Sequence, residues 1–238
     1  MQLHLHTEPE RLAPYALLPG DPGRATLIAE RFLDGAQLTT ANRGLLGYTG
    51  SYLGVPVSVQ TTGMGCPSLA IVVEELVRLG ARTLIRVGTA GVVAEQVLPG
   101  DLIVAHASVP NDGTTRQYLA GRPHAPTASF ETTRALVDAA ASHGGAHVGL
   151  IQTEDAFYAT QPSDVPVLAA RGVLAVEMEA AALFVLGHLR SVRTGCMLVA
   201  SNRIGADAFV EPGLLLAGVE RMVRTSLDAF VRLHEAGA

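Results

Sequence analysis

"VPVSVQTTGMGCPSLAIVVEELVRLGARTLIRVGT", residues 55–89, is the stretch from which the fold is read. "VPVSVQTT" (55–62) has the β-branched, apolar character of a strand. Pro67 suits the first turn of a helix, "SLAIVVEELVRL" supplies its body, and Gly80 stops it. "TLIRVGT" (83–89) is again β-rich and reads as buried. Strand, helix and strand at this spacing form a βαβ unit, which implies parallel pairing through a right-handed crossover.

The alternation continues outward. "ALL" (16–18) reads as a strand before the turn "PGDPGR" and a helix opening at Asp21–Pro22. Downstream come "DLIVAHASV" (101–109), a helix near 131–143, "VGLIQT" (148–153) and a helix near 163–171. "GVLAVEMEAAALFVLGHLR" (172–190), the strand "GCMLVAS" (195–201) and a long helix from about Gly213 complete the chain. No linker, repeat or low-complexity tract interrupts it. The expectation is one three-layer α/β/α domain over residues 1–238, built on a mostly parallel sheet. "LLGYTGSYLGVPVSVQ" (45–60) looks like strands joined by glycine turns, which makes the sheet mixed. The turn-rich stretch 110–127 reads as a long loop of the functional or mobile kind.

Composition bounds the function. The chain of 238 residues is 48% hydrophobic, enough for a sizeable core, and carries 17 basic against 22 acidic residues, net −5. No surface for nucleic acid is implied. There is no lysine, so any anion site must be built from arginine, which favours planar, bidentate contacts. Cys66 and Cys196 form no metal or redox spacing, and the N-terminus lacks the pattern of a signal peptide. No apolar run is long enough to span a bilayer; Glu177 and Glu179 interrupt the nearest one. A reduced, cytoplasmic protein without membrane contact is expected.

Ligands of open α/β sheets gather beyond the carboxyl ends of strands, and four glycine- or charge-rich signals fall there. Gly20 and Arg24 follow the first strand, "TTGMG" (61–65) the second, "RVGTAG" (86–91) the third and "SNRIG" (201–205) the last. Arg86 stands inside a run that otherwise reads as buried, where a guanidinium needs a partner. Two readings stay open: an internal ion pair with Glu74 or Glu75, or a phosphate held with the Thr89 hydroxyl and nearby backbone amides. "VEMEAA" (176–181) places two carboxylates at a strand-to-helix junction. By itself that fits acids complementing a helix N-terminus; it also fits a carboxylate gripping the vicinal hydroxyls of a sugar.

Taken together, "LPGDPGRA", "NRGLLGYTGSYLGVPVSVQTTGMGCPS", "IRVGTAG", "AVEMEAAAL" and "VASNRIG" resemble the nucleoside phosphorylase family, which includes the bacterial hexameric purine nucleoside phosphorylases and uridine phosphorylase. The motifs occur in the family's order, from His4 to the terminal helix. The resemblance implies a distorted mixed sheet ringed by helices and a hexamer assembled as a trimer of dimers. It assigns phosphate to Gly20, Arg24, Arg86, Gly88 and Thr89, with Arg43 reaching in from the dimer partner. His4 would cross the same interface to the ribose 5′-hydroxyl, with Met64, Met178 and Glu179 along the ribose. Phe157, Glu177, Ser201 and Asn202 would face the base, and Asn202 and Arg86 would carry catalysis. Inorganic phosphate is the co-substrate, and no metal, nicotinamide or flavin is called for.

The implied reaction is phosphorolysis of a (deoxy)ribonucleoside to free base and (deoxy)ribose 1-phosphate. Two departures from the family pattern bear on the base. Asn202 stands where adenosine-accepting members carry an aspartate, and the arginine that helps that aspartate has no match in "GADAFVEPGLLLAG". Gln161 leans toward the uridine branch, yet the arginine expected two residues later is Ser163. The expectation is a purine nucleoside phosphorylase preferring 6-oxopurines (inosine, guanosine), with uridine phosphorylase the alternative. A methylthioadenosine-type nucleosidase, which needs no anion clamp, and a non-catalytic nucleoside binder stand further off.

Overall fold

The computed structural model describes residues 2–206 and 210–237. Nine strands and seven α-helices alternate along them: β1 (Tyr15–Leu18), α1 (Pro22–Phe32), β2 (Asp34–Thr40), β3 (Gly47–Tyr52), β4 (Val55–Gln60), α2 (Cys66–Leu79), β5 (Thr83–Val92) and β6 (Leu102–Asn111). Then follow α3 (Gly113–Tyr118), α4 (Phe130–Ala141), β7 (His147–Glu154), α5 (Val165–Ala170), β8 (Val173–Glu177), α6 (Ala180–Arg190), β9 (Arg193–Arg203) and α7 (Pro212–Glu235). No helix among the described residues is long and apolar enough to cross a membrane.

The expected signals are visible at the helix ends. Asp21 caps α1, its carboxylate accepting from the backbone N–H groups of Gly23 and Arg24. α2 carries Pro67 in its first turn, and Gly80 closes it in the left-handed conformation. Two elements lie outside the sequence reading. β2 is a largely exposed edge strand with no apolar alternation, paired to β3 alone. α3 is a short helix inside the expected 110–127 loop, capped by Asp112.

The strands form one mixed sheet in the order β2-β3-β4-β1-β5-β8-β7-β6-β9, and β9 returns to pair with β5. β5 is ten residues long, running parallel to β1 on one side and to β9 on the other, and meeting β8 antiparallel at Gly91 and Val92. The second half of the sheet therefore closes on itself, which is the distortion that the resemblance implied. The expected βαβ unit exists with one difference. β4 and β5 point the same way but do not touch, because β1 lies between them, parallel to both. A helix about 10 Å across covers roughly two strand spacings, so a crossover can skip one strand without losing its packing.

Side-chain alternation divides the core between the two faces. Along β1, Ala16 and Leu18 join one buried cluster, with residues of α2 and α6, whereas Tyr15 and Leu17 join another, with α1, α4 and α7. This gives three layers. On β5 the same alternation puts Arg86 on the face of Leu84, toward α2 and α6, where its partners wait.

Candidate active site

A cavity of about 980 Å³ opens beyond the strand ends. Gly20, Arg24, Arg43, Met64, Arg86, Gly88, Thr89, Phe157, Glu177, Met178, Glu179, Ser201 and Asn202 all line it. His4 does not. The ring of His4 sits 2.8 Å from Oε1 of Glu75 through Nδ1, and the same carboxylate accepts the backbone N–H groups of Leu3, His4 and Leu5.

Arg86 is the centre of the electrostatics. Its side chain is almost fully buried, with Nε 2.7 Å from Oε2 of Glu177 and Nη2 2.5 Å from Oε2 of Glu179. The internal ion pair therefore exists, but with different partners. Glu74 instead binds Arg190, and Glu75 holds the N-terminal segment. Burial opposes the charge on Arg86, and the two carboxylates overcome that, holding its pKa above the ordinary arginine value. Nη1 donates to no described residue, so its two N–H groups stay available. Gly88 makes room for the guanidinium: a Cβ there would lie 2.8 Å from Nη2.

Glu177 departs from its expected place facing the base. Its carboxylate is wholly buried and accepts from Arg86, from the Thr153 hydroxyl at 2.5 Å, and from the backbone N–H groups of Glu179 and Ala180. All of these are internal, so Glu177 anchors Arg86 and the start of α6. Glu179 accepts from Arg86 and from the Gly65 N–H at 2.5 Å. Burial first, then the charge of Glu177, push its pKa up against the pull of Arg86.

Arg24 is different. It is half-buried, and the one hydrogen bond that its guanidinium makes within the described residues is a long one, 3.4 Å from Nη1 to the Val87 carbonyl. Burial and the neighbouring charge of Arg86 lower its pKa, with Asp21 in opposition. Two guanidiniums near each other, with N–H groups unspent, attract an anion from outside the chain. Gly20 packs close to the Gly63 carbonyl, where a Cβ would lie 3.1 Å from the oxygen. Arg43 stands exposed at the rim of its own chain's cavity, in the left-handed conformation at φ 56°.

At the other end, Phe157 and Tyr158 meet edge to face, 5.1 Å between centroids, both exposed. The Ser201 hydroxyl lies 2.9 Å from Oδ1 of Asn202, while Nδ2 of Asn202 has only a 3.4 Å contact to the Arg203 carbonyl. Arg203 itself donates to the carbonyls of Ala94, Glu95 and Val97 and fastens that turn. Gln161 does not line the cavity; its Nε2 donates to the Tyr158 and Ala159 carbonyls. Within "GADAFVEPGLLLAG", which has no match for the helper arginine, residues 207–209 lie outside the described residues. Sequence reasoning missed Glu154, Tyr158 and Thr160, which also line the cavity. Tyr158 neighbours Phe157 in "DAFYATQ"; Glu154 had no local signal.

The family model described as the phosphorylase superfamily matches residues 14–231. Curated relatives align end to end. A DeoD-type purine nucleoside phosphorylase of Geobacillus sp. (strain WCH70) is 42% identical over 98% of this chain and 100% of its own length. Another of the same name, from Clostridium perfringens (strain ATCC 13124), is 39% identical over 98% of this chain and the whole of its own. A third, from Geobacillus kaustophilus, is 39% identical over 98% and 99%. With the motifs converging on one cavity and the match running through nearly every element around it, the chain belongs to the phosphorylase superfamily.

Proposed function

We propose that this chain is a purine nucleoside phosphorylase that cleaves the N-glycosidic bond of (deoxy)ribonucleosides with inorganic phosphate, preferring 6-oxopurine nucleosides. The observation that carries the reading is the pair Arg24 and Arg86, with unspent N–H groups beside Thr89 in the cavity. A hydrolase needs no such anion clamp.

Phosphate held by Gly20, Arg24, Arg86, Gly88 and Thr89 lies beneath C1′ of the sugar. Glu179 and Met178 hold the ribose, with Met64 over it. One phosphate oxygen bonds to C1′ as the C1′–N bond breaks, and the electron pair leaves with the base. The anion stabilises the positive charge that develops on the ribose. For a 6-oxopurine, the N7 and O6 acceptors lie side by side, and the N–H₂ of Asn202 serves them without a change of charge. Phe157 stacks near the base. No metal or organic cofactor takes part in this scheme.

The site is completed in a hexamer built as a trimer of dimers, with Arg43 and His4 given by the dimer partner. Nδ1 of His4 donates to the Glu75 carboxylate, which leaves Nε2, without a partner among the described residues, for a neighbour. The two free, buried cysteines suit a cytoplasmic enzyme. Gln161, turned onto its own loop, gives no support to a uracil site.

The test is release of base from inosine, guanosine, adenosine and uridine with and without phosphate. Release of hypoxanthine and guanine that requires phosphate is expected, with ribose 1-phosphate as the second product. Equal turnover without phosphate would overturn the reading in favour of hydrolysis, and a preference for uridine would move it to the pyrimidine branch.

A further inference from the structure

The carboxylates that line the cavity differ in what neutralises them. Glu177 and Glu179 share Arg86, and Asp21 is occupied with the N-terminus of α1. Glu154, at the end of β7, pairs with no arginine or histidine among the described residues. Nδ2 of Asn111 donates to its Oε2 at 2.6 Å, and Nε2 of Gln152 donates to its Oε1. Two neutral amides fix the carboxylate without cancelling its charge, and each oxygen keeps a further lone pair. Arg171 borders an adjoining hollow of about 400 Å³ that Glu154 also touches, without forming an ion pair. A half-buried, positioned anion of this kind asks for a donor from whatever fills the cavity.

The strand order says which part of the ligand that is. β1 leads to Gly20 and Arg24, β5 carries Arg86 and Thr89, β8 leads to Met178 and Glu179, and β7 ends at Glu154. Neighbouring strands are about 4.8 Å apart, so β7 lies roughly 14 Å along the sheet from β1. Phosphate, sugar and base of the nucleoside proposed above follow the same order, and the inference rests on that reading.

We propose that Glu154 is a specificity residue that reads the N1 edge of the base. Its carboxylate accepts the N1–H of a 6-oxopurine, and from guanine the adjacent 2-amino N–H as well. Adenine offers a lone pair at N1, which sets one acceptor against another. A polar mismatch of that kind discriminates more strongly than an apolar misfit. Asn202 serves the N7 and O6 edge, and Glu154 serves the next one.

The experiment measures kcat/KM for guanosine, inosine, 1-methylinosine and adenosine on the full chain, on Glu154→Ala and on Glu154→Gln. The unaltered protein is expected to favour guanosine and inosine over 1-methylinosine, which lacks the N1–H. Glu154→Ala should lower guanosine and inosine about ten- to hundredfold, the loss of a hydrogen bond to a charged group, without lowering adenosine or 1-methylinosine, which offer the carboxylate no N1–H. Glu154→Gln, whose amide can donate to N1, should raise adenosine. An equal fall for all four substrates, or an unchanged ratio of inosine to adenosine, would overturn the proposal. Calorimetric binding of hypoxanthine and adenine gives a readout independent of turnover: the preference for hypoxanthine should shrink in Glu154→Gln, and an unchanged preference would count against the proposal. Absence of any phosphate-dependent turnover would count against the reaction proposed above, while the ratio of base affinities would still judge Glu154.

Discussion

The guanidinium of Arg24 donates a single long hydrogen bond, to the Val87 carbonyl, whereas that of Arg86 is gripped by two buried carboxylates. Both are expected to face phosphate, yet their removal asks different questions. Arg86→Ala strands Glu177 and Glu179 without a cation, and breaking a buried pair from one side costs about 3–5 kcal/mol of stability. Its activity loss would mix misfolding with chemistry. Arg24→Ala abandons no buried carboxylate, so its thermal midpoint should stay near that of the unaltered protein. Its kcat/KM should fall by about 2 kcal/mol, with the phosphate KM raised. A variant that keeps full activity at low phosphate would remove Arg24 from the clamp.

At the scale of elements, α2 does more than cover the sheet. Through Glu75 it fastens the N-terminal segment by the N–H groups of Leu3, His4 and Leu5 and the ring of His4. Burial pushes the Glu75 pKa up, but these donors, chiefly Leu5 N–H and the His4 ring, outweigh it and hold the carboxyl below its ordinary value. A carboxylate depressed in the folded state contributes stability above its unfolded pKa of about 4.3, and that contribution is lost as pH falls through the folded value. Amide exchange at Leu3–Leu5, corrected for intrinsic rate, should therefore show protection that is constant near neutrality and declines below about pH 4. The same amides should already be less protected at pH 7 in Glu75→Ala. Protection that is flat down to pH 3 would mean that the carboxylate does not hold the segment.

For the whole molecule, the open point is whose cavity Arg43 serves. It stands at the rim of its own chain's cavity, while the proposed dimer sends it into the neighbour's. Mixing Arg43→Ala with Arg24→Ala protein under conditions that exchange subunits separates the two arrangements. If Arg43 crosses the interface, a mixed dimer holds one site with both lesions and one intact site, so activity should return toward half of the normal value per mixed dimer. If Arg43 serves its own chain, each site keeps one lesion and no activity returns. Mass spectrometry of the mixture shows whether the mixed species formed.

The chain's local patterns determined the kind of each major element and which strand ends open onto the cavity. Pro67 and Gly80 bound α2, Asp21 caps α1, and each of the four strand-end segments gives residues to the cavity. These are effects of residues a few positions apart, and a sequence displays them directly. β2 escaped because an exposed edge strand needs no apolar alternation, and its only support is the hydrogen bonds to β3. Tertiary structure alone decided what lies across from what. Arg86 meets Glu177 from 91 residues away, Glu179 meets the Gly65 N–H from 114 away, and β1 slips between β4 and β5. A buried charge takes whichever opposite charge the packing brings within about 3 Å, and distance along the chain does not enter that choice. For the same reason Glu154 was silent in the sequence: its meaning lies in a cation that is absent among the described residues and in a strand order that no local pattern specifies.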